Sequence, residues 1–282
     1  MSKKVSDTGR VLGLIAGAGS FPFHVAREAK RQGRRVIAVG IQGWADPALA
    51  GEVDAYEELP VGQLARLLER LKAHGVREAI MAGKVTKAVL LGKPAAFDAD
   101  LREVLRQAPD FSAGALLGAV GQRLAHAGIT LLDSSTFLRA ALCPEGPLTS
   151  AGPTAAQQED IAVGLRAARA LAALDVGQTV VVKDRVVVAV EALEGTDAAI
   201  RRAHALAGDG LVVVKAAAPR QDRRFDLPVI GPDTLATLKE AGVSCLAVEA
   251  GTTILLEREA LIASAGDAGI CLVGVSSDDP HP

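Results

Sequence analysis

Two short loops gather unlike charges in an otherwise apolar chain. In RQDRRFD, Arg220, Arg223 and Arg224 alternate with Asp222 and Asp226, and Pro219 and Pro228 stiffen the flanks. In EGTD, Glu194 and Asp197 enclose Gly195 and Thr196, with Glu191 just upstream. A surface ion-pair network contributes under about 1 kcal/mol per pair, and a stiff loop of mixed charge fits phosphoryl chemistry better. Guanidinium groups fork onto non-bridging phosphate oxygens, and carboxylates hold a divalent ion that neutralises the charge developing in an in-line displacement. EGTD also has a plain reading: Thr196 caps a helix and Asp197 favours its dipole.

Two more loops follow apolar runs. Gly17-Ala18-Gly19 closes VLGLIAG, where glycines let a phosphate approach backbone N–H groups at a helix start. The dinucleotide fingerprint fails twice: its third glycine position is Pro22, and VIAVGIQG lacks the acidic residue that would hold a ribose diol. A nucleotide or other phosphate therefore competes here with a purely structural tight turn. Lys84 and Lys87 in AGKVTK follow another strand end, as phosphate ligands or as solvated surface lysines. His24, His74, His126, His204 and His281 stand singly without H-E-x-x-H spacing, which disfavours a zinc hydrolase. Ser134 and Ser135 lack a G-x-S-x-G elbow, which disfavours a serine hydrolase.

These loops need a scaffold, and the first half supplies strand and helix signals in alternation. VLGLIAG, RVIAVGI and EAIMAGKV read as buried strands. FHVAREAKRQG reads as a helix entered through Ser20 and Pro22, and VGQLARLLERLKAHG as one whose Leu64, Leu67, Leu68 and Leu71 fall at i, i+3, i+4 and i+7. Such alternation builds a parallel sheet whose ligands lie beyond the carboxyl ends of its strands. Residues 97–127 read as two helices and GITLLDSS as a further strand. The Pro- and Gly-rich CPEGPLTSAGP is a linker. After it, Thr154 and Gln157 form a capping box opening an Ala-rich helix, and TVVVKD and RVVVAVEAL pair as a hairpin around Asp184 and Arg185. The expected fold is α/β: a Rossmann-like N-terminal domain with a parallel sheet (1–141), a linker (142–153) and a mixed α/β C-terminal domain (154–282) that carries the charged loops.

Composition narrows the partners. The chain has 282 residues, 49% hydrophobic and only 3% aromatic, with a net charge of −2, so no global positive field or stacking platform serves nucleic acid. Cys143, Cys245 and Cys271 show no paired spacing, which fits a reducing cytosol. Lys3 and Lys4 before an apolar run mimic a secretory signal, but the run is short and leads into an amphipathic helix. No apolar segment approaches the roughly 20 residues that span a bilayer, so a soluble cytoplasmic protein is expected.

Taken together, LGLIAGAGSFP, AGKVTK, LDVGQTVVVKD, VAVEALEGTDAAIRR and PRQDRRFDLPVIG run in order along nearly the whole chain. They resemble the UDP-2,3-diacylglucosamine pyrophosphatases of lipid A biosynthesis, in the class found where the calcineurin-like phosphoesterase enzyme is absent. EGTD followed at this distance by Q-D-x-R-F-D-x-P is the specific part. The resemblance implies hydrolysis at the α-phosphorus dependent on Mg²⁺, with Mn²⁺ as a substitute, giving UMP and 2,3-diacylglucosamine 1-phosphate. It implies Asp226 as metal ligand or orienter of the attacking water, and Asp222, Glu194 and Asp197 as the rest of the metal shell. Arg224 and Gln221 would face phosphate oxygens. Substrate contacts would fall at Gly17, Ala18, Gly19, Gly83, Lys84, Gly195, Thr196 and Lys215. Relatives usually carry a lysine just before the loop proline. Here that position is Ala218, so a basic contact is either lost or moved to Lys215 or Arg220. A lipid substrate implies transient peripheral contact with the cytoplasmic face of the inner membrane, and a homodimer is left open. The alternatives are a nucleotide-binding oxidoreductase and a non-enzymatic nucleotide-sensing module.

Overall fold

The computed structural model describes residues 11–85, 97–108, 113–217, 222–225 and 227–276. Asp226, Gln221, Arg220, Ala218, Lys87 and His281 lie outside the described residues. The described chain forms two compact units, residues 11–139 with 222–225, and residues 140–217 with 227–276.

In the first unit, β1 (Val11–Ala16), β2 (Arg35–Ile41), β3 (Ala55–Leu59), β4 (Glu78–Ala82) and β5 (Thr130–Leu131) form a parallel sheet in the order β3-β2-β1-β4-β5. Every residue of β1 is buried, as a strand covered on both faces requires. Its side chains alternate: Val11 and Ile15 join the core built by Leu64, Leu67, Leu68 and Leu71 of α2 (Leu64–Ala73), while Leu12 and Leu14 are buried on the other side. Those four leucines are the ones the helical spacing picks out. Helix α1 (Phe21–Arg31) carries Pro22 in its first turn and buries Phe21, Val25, Ala26 and Ala29; Ser20 stands at its N-cap without a side-chain cap bond. Asp98 caps α3 (Ala99–Gln107), accepting from Leu101 N at 2.8 Å, and its other oxygen accepts from Ala65 N at 2.7 Å, joining two helix starts. Helix α4 (Ala113–His126) then leads into β5.

Sequence reading passes over β3. Its AYEEL carries two glutamates because it is the edge strand, where Glu57 accepts from Arg66 and forms an ion pair with Arg70, both of α2.

In the second unit, β6 (Gly146–Pro147) lies within the Pro/Gly-rich stretch and pairs with the last strand. Helix α5 (Ala155–Ala173) opens on the capping box: Thr154 Oγ1 accepts from Gln157 N at 3.2 Å, and Gln157 Oε1 accepts from Thr154 N at 2.9 Å. Strands β7 (Thr179–Lys183) and β8 (Val186–Val190) form the hairpin, with Asp184 and Arg185 both left-handed at φ 49° and 65°. After α6 (Thr196–Ala207) come β9 (Leu211–Lys215), β10 (Val229–Ile230), α7 (Pro232–Glu240), β11 (Val243–Glu249), β12 (Ile254–Leu255), α8 (Arg258–Asp267) and β13 (Cys271–Val275). The main sheet runs β6-β13-β11-β9-β7-β8, parallel through β9, β11 and β13 and antiparallel at both edges, so this unit is mixed. Helix α5 covers one face through Ile161, Leu165 and Ala168. Residues of α6, α7 and α8 cover the other through Ile200, Leu238 and Leu261.

Candidate functional site

In the first unit the strand order reverses between β1 and β4, and the crevice outside their carboxyl ends is where open α/β sheets bind ligands. The turns at those two ends are Gly17-Ala18-Gly19 and Gly83-Lys84, and the fold brings them together. Ala18 N donates to Lys84 O at 2.8 Å, Lys84 N to Ala18 O at 2.9 Å, and Gly17 N to Ala82 O at 2.8 Å. The approach is so close that a Cβ on Gly17 would lie 2.6 Å from Lys84 O, and one on Gly83, at φ +91°, 2.7 Å from Ala18 O. These two glycines are thus required by one backbone passing another. The N–H groups of Gly17 and Ala18 are spent on carbonyls, so an anion here meets the turn only beyond Ala18. That also removes the fingerprint geometry of a nicotinamide enzyme, as does the residue after β2, Gln42, where the ribose-binding acid would stand.

Next to β4, the Asp133-Ser134-Ser135 turn follows β5 and receives residues 222–225. Ser134 N donates to Arg223 O at 2.9 Å; Ser134 Oγ lies 2.8 Å from Arg224 O and 2.9 Å from Met81 O. Asp133 Oδ2 accepts from Arg223 Nε at 2.8 Å, and its Oδ1 accepts from Ser135 N and Oγ. Burial raises the Asp133 pKa, but the Ser135 and Arg223 donors outweigh it and hold the carboxyl below the usual range. Asp222 and Arg224 form a fork, Arg224 Nε donating to Asp222 Oδ1 at 2.8 Å, and the Arg224 donors hold Asp222 below its ordinary value. Arg224 lies 5.7 Å from the Phe225 ring centroid, and Phe225 packs on the core of the first unit.

In the second unit a buried polar cluster sits where β9 ends and β7 begins, since Thr179 pairs with Lys215 across antiparallel strands. Lys215, only 8% exposed, donates to Thr196 Oγ1 at 3.0 Å and Thr179 Oγ1 at 3.4 Å, and Thr196 Oγ1 donates to Glu191 Oε1 at 2.9 Å. Burial pushes the Glu191 pKa up; Lys215 and the two threonine hydroxyls pull it further down, so the carboxyl stays ionised below its ordinary range. Thr196 is therefore not the cap expected from sequence: Gly195, at φ +87°, holds the N-cap position and frees the hydroxyl for this cluster. Glu194 turns away, accepting from Arg202 Nη2 at 2.7 Å and from Ala192 N at 3.2 Å, while the Asp197 Oδ1 atom is buried with no hydrogen-bond partner. Close by, Glu249 at the end of β11 is 5% exposed. It accepts from Ala217 N at 2.8 Å and from Arg169 of α5 at 3.1 Å.

Asp222 belongs to the first unit, and Glu194 and Asp197 to the second. Among the described residues no three His, Cys, Asp or Glu side chains gather to hold an ion; both Asp222 oxygens accept from Arg224, and the Glu194 oxygens accept from Arg202 and Ala192 N.

The comparisons with known proteins divide the chain near residue 140 as well, with residues 222–225 falling inside the C-terminal match. Residues 11–141 match the LpxI N-terminal domain family and residues 144–273 the LpxI C-terminal domain family. The chain belongs to the LpxI family. Within it, the UDP-2,3-diacylglucosamine pyrophosphatase LpxI of Caulobacter vibrioides is 32% identical over 281 residues, covering 96% of this chain and 99% of the relative. Among solved structures, CobK precorrin-6A reductase aligns with 96% of the chain and 89% of its own at 14% identity and a TM-score of 0.29, a likeness too remote to carry any argument.

For this LpxI member, sequence reading misses Thr179, Arg169, Glu249 and Asp133, and considers Ser134 only as a nucleophile. The rule that singles out Lys84 also reaches two of them: Glu249 closes SCLAVE and Asp133 follows GITLL, both at carboxyl ends of parallel strands. Thr179 and Arg169 carry no such signal, because their roles arise from an antiparallel neighbour and a helix crossing.

Proposed function

We propose that the chain hydrolyses UDP-2,3-diacylglucosamine in lipid A biosynthesis, by attack at the α-phosphorus, releasing UMP and 2,3-diacylglucosamine 1-phosphate. The observation that carries this reading is the end-to-end likeness, in both domains, to a relative named for that pyrophosphatase activity. The local chemistry supports it. Arg224 is held by Asp222 in a fixed direction, which suits a guanidinium that must meet phosphate oxygens without reorganising. Lys215 is a buried cation whose position is set by two hydroxyls.

In this reading Asp226 orients the attacking water or holds a divalent ion. Mg²⁺ is commonly bound by one or two carboxylates together with substrate phosphates, so Asp226 and the diphosphate would together be a sufficient donor set. Bound there, Mg²⁺ would neutralise the charge developing on the phosphoryl oxygens. No helix among the described residues is long and apolar enough to cross a membrane. Access to a diacylated substrate is proposed to be a transient peripheral contact at the cytoplasmic face of the inner membrane.

The test is incubation with UDP-2,3-diacylglucosamine, with Mg²⁺ and with a chelator, while UMP is followed. UMP release that the chelator abolishes is expected. Binding of UDP without UMP release would instead favour a nucleotide sensor, and release undiminished by the chelator would remove the metal from the proposal.

A further inference from the structure

We infer that Ser134 is a positioning residue for the Asp222–Phe225 segment, its buried hydroxyl joining the carboxyl end of β4 to the backbone of that segment. The inference rests on the proposed function, because it concerns the loop that carries Asp222 and Arg224.

Ser134 is 1% exposed and touches the segment twice. Its N–H donates to Arg223 O at 2.9 Å, and its Oγ lies 2.8 Å from Arg224 O. The same Oγ lies 2.9 Å from Met81 O, two residues before the Gly83-Lys84 turn. A hydroxyl has one proton, so two carbonyls within reach fix its place more narrowly than one would. Ser134 thereby sets the register between the turn at the end of β4 and the fork of Asp222 and Arg224. Two neighbours hold the segment at its flanks. Asp133 accepts from Arg223 Nε at 2.8 Å, and Phe225 packs on the core of the first unit. None of these groups needs to touch the reacting atoms. Their effect on rate is geometric, since a misplacement of about 1 Å costs about a hundredfold.

The experiment compares Ser134→Ala, Ser134→Thr and Asp133→Asn with the unmodified chain in full-length protein. Three quantities are read: kcat and KM for UDP-2,3-diacylglucosamine, the melting temperature, and hydrogen exchange of the 223–225 amides. For Ser134→Ala, kcat is expected to fall by about ten- to a hundredfold, with KM within about twofold. Exchange should accelerate at 223–225 and not elsewhere, and Ser134→Thr should recover most of the rate. A Ser134→Ala protein with a lower melting temperature but unchanged kcat and unchanged local exchange would overturn the inference. Should that variant not fold, Asp133→Asn decides by the same readings. If the unmodified chain releases no UMP, the proposed function fails, and the exchange measurement still decides the role of Ser134.

Discussion

Lys215 and Glu191 are linked through the Thr196 hydroxyl in the second unit, and neither charge can be removed alone without cost. The lysine is held by two threonine hydroxyls, and the glutamate is ionised because the lysine is there. Lys215→Met should therefore destabilise the chain by about 1–3 kcal/mol, because it leaves the Thr179 and Thr196 hydroxyls without this donor and the Glu191 carboxylate without its counter-charge. Adding Glu191→Gln should recover a sizeable part of that loss, which urea unfolding of the single and double variants will show. At Asp226 the expectation reverses. Asp226→Ala should leave the melting temperature within a few degrees of the original and lower kcat by at least about a hundredfold, as loss of a positioned catalytic or metal-binding group does. A variant retaining most of its UMP release would take Asp226 out of the mechanism.

Among the elements, the paired turns after β1 and β4 make the sharpest prediction. Gly83→Ala forces a left-handed residue to carry a Cβ 2.7 Å from Ala18 O, so the two turns must separate. A loss of at least about 2 kcal/mol is expected from strain and clash together, visible as a lowered melting temperature. Gly19→Ala, also at positive φ but facing open space, should cost less. Much of this scaffold is legible in sequence because its signals are local: the four leucines of α2, the capping box of α5 and the left-handed turn of the β7–β8 hairpin all lie within a few residues. Strand β3 is not legible, because an edge strand may keep its glutamates when a neighbouring helix supplies arginines. Nor is the true partner of Thr196, since its hydroxyl answers to Glu191 and Lys215 across strands rather than to its own helix. The charged loops announce themselves by composition, whereas Ser134 and Glu249 acquire meaning only from what the fold lays against them.

For the whole molecule the same charges set the response to acid. Asp133, Glu191 and Asp222 are all held below the ordinary carboxylate range. A carboxyl with a depressed native pKa stabilises the fold above its unfolded value, about 4, and loses that contribution as pH falls through the native value. The melting temperature should thus be nearly flat from about pH 7 to 5 and decline below about pH 4. Glu191, the most enclosed of the three, should dominate, and Glu191→Gln should flatten the decline in a thermal scan across pH. The division of the chain carries one more consequence. Phe225 packs on the core of the first unit, yet it is encoded after strands β6 to β9 of the second. A ribosome must synthesise most of the second sheet before the residue that completes the first leaves the exit tunnel.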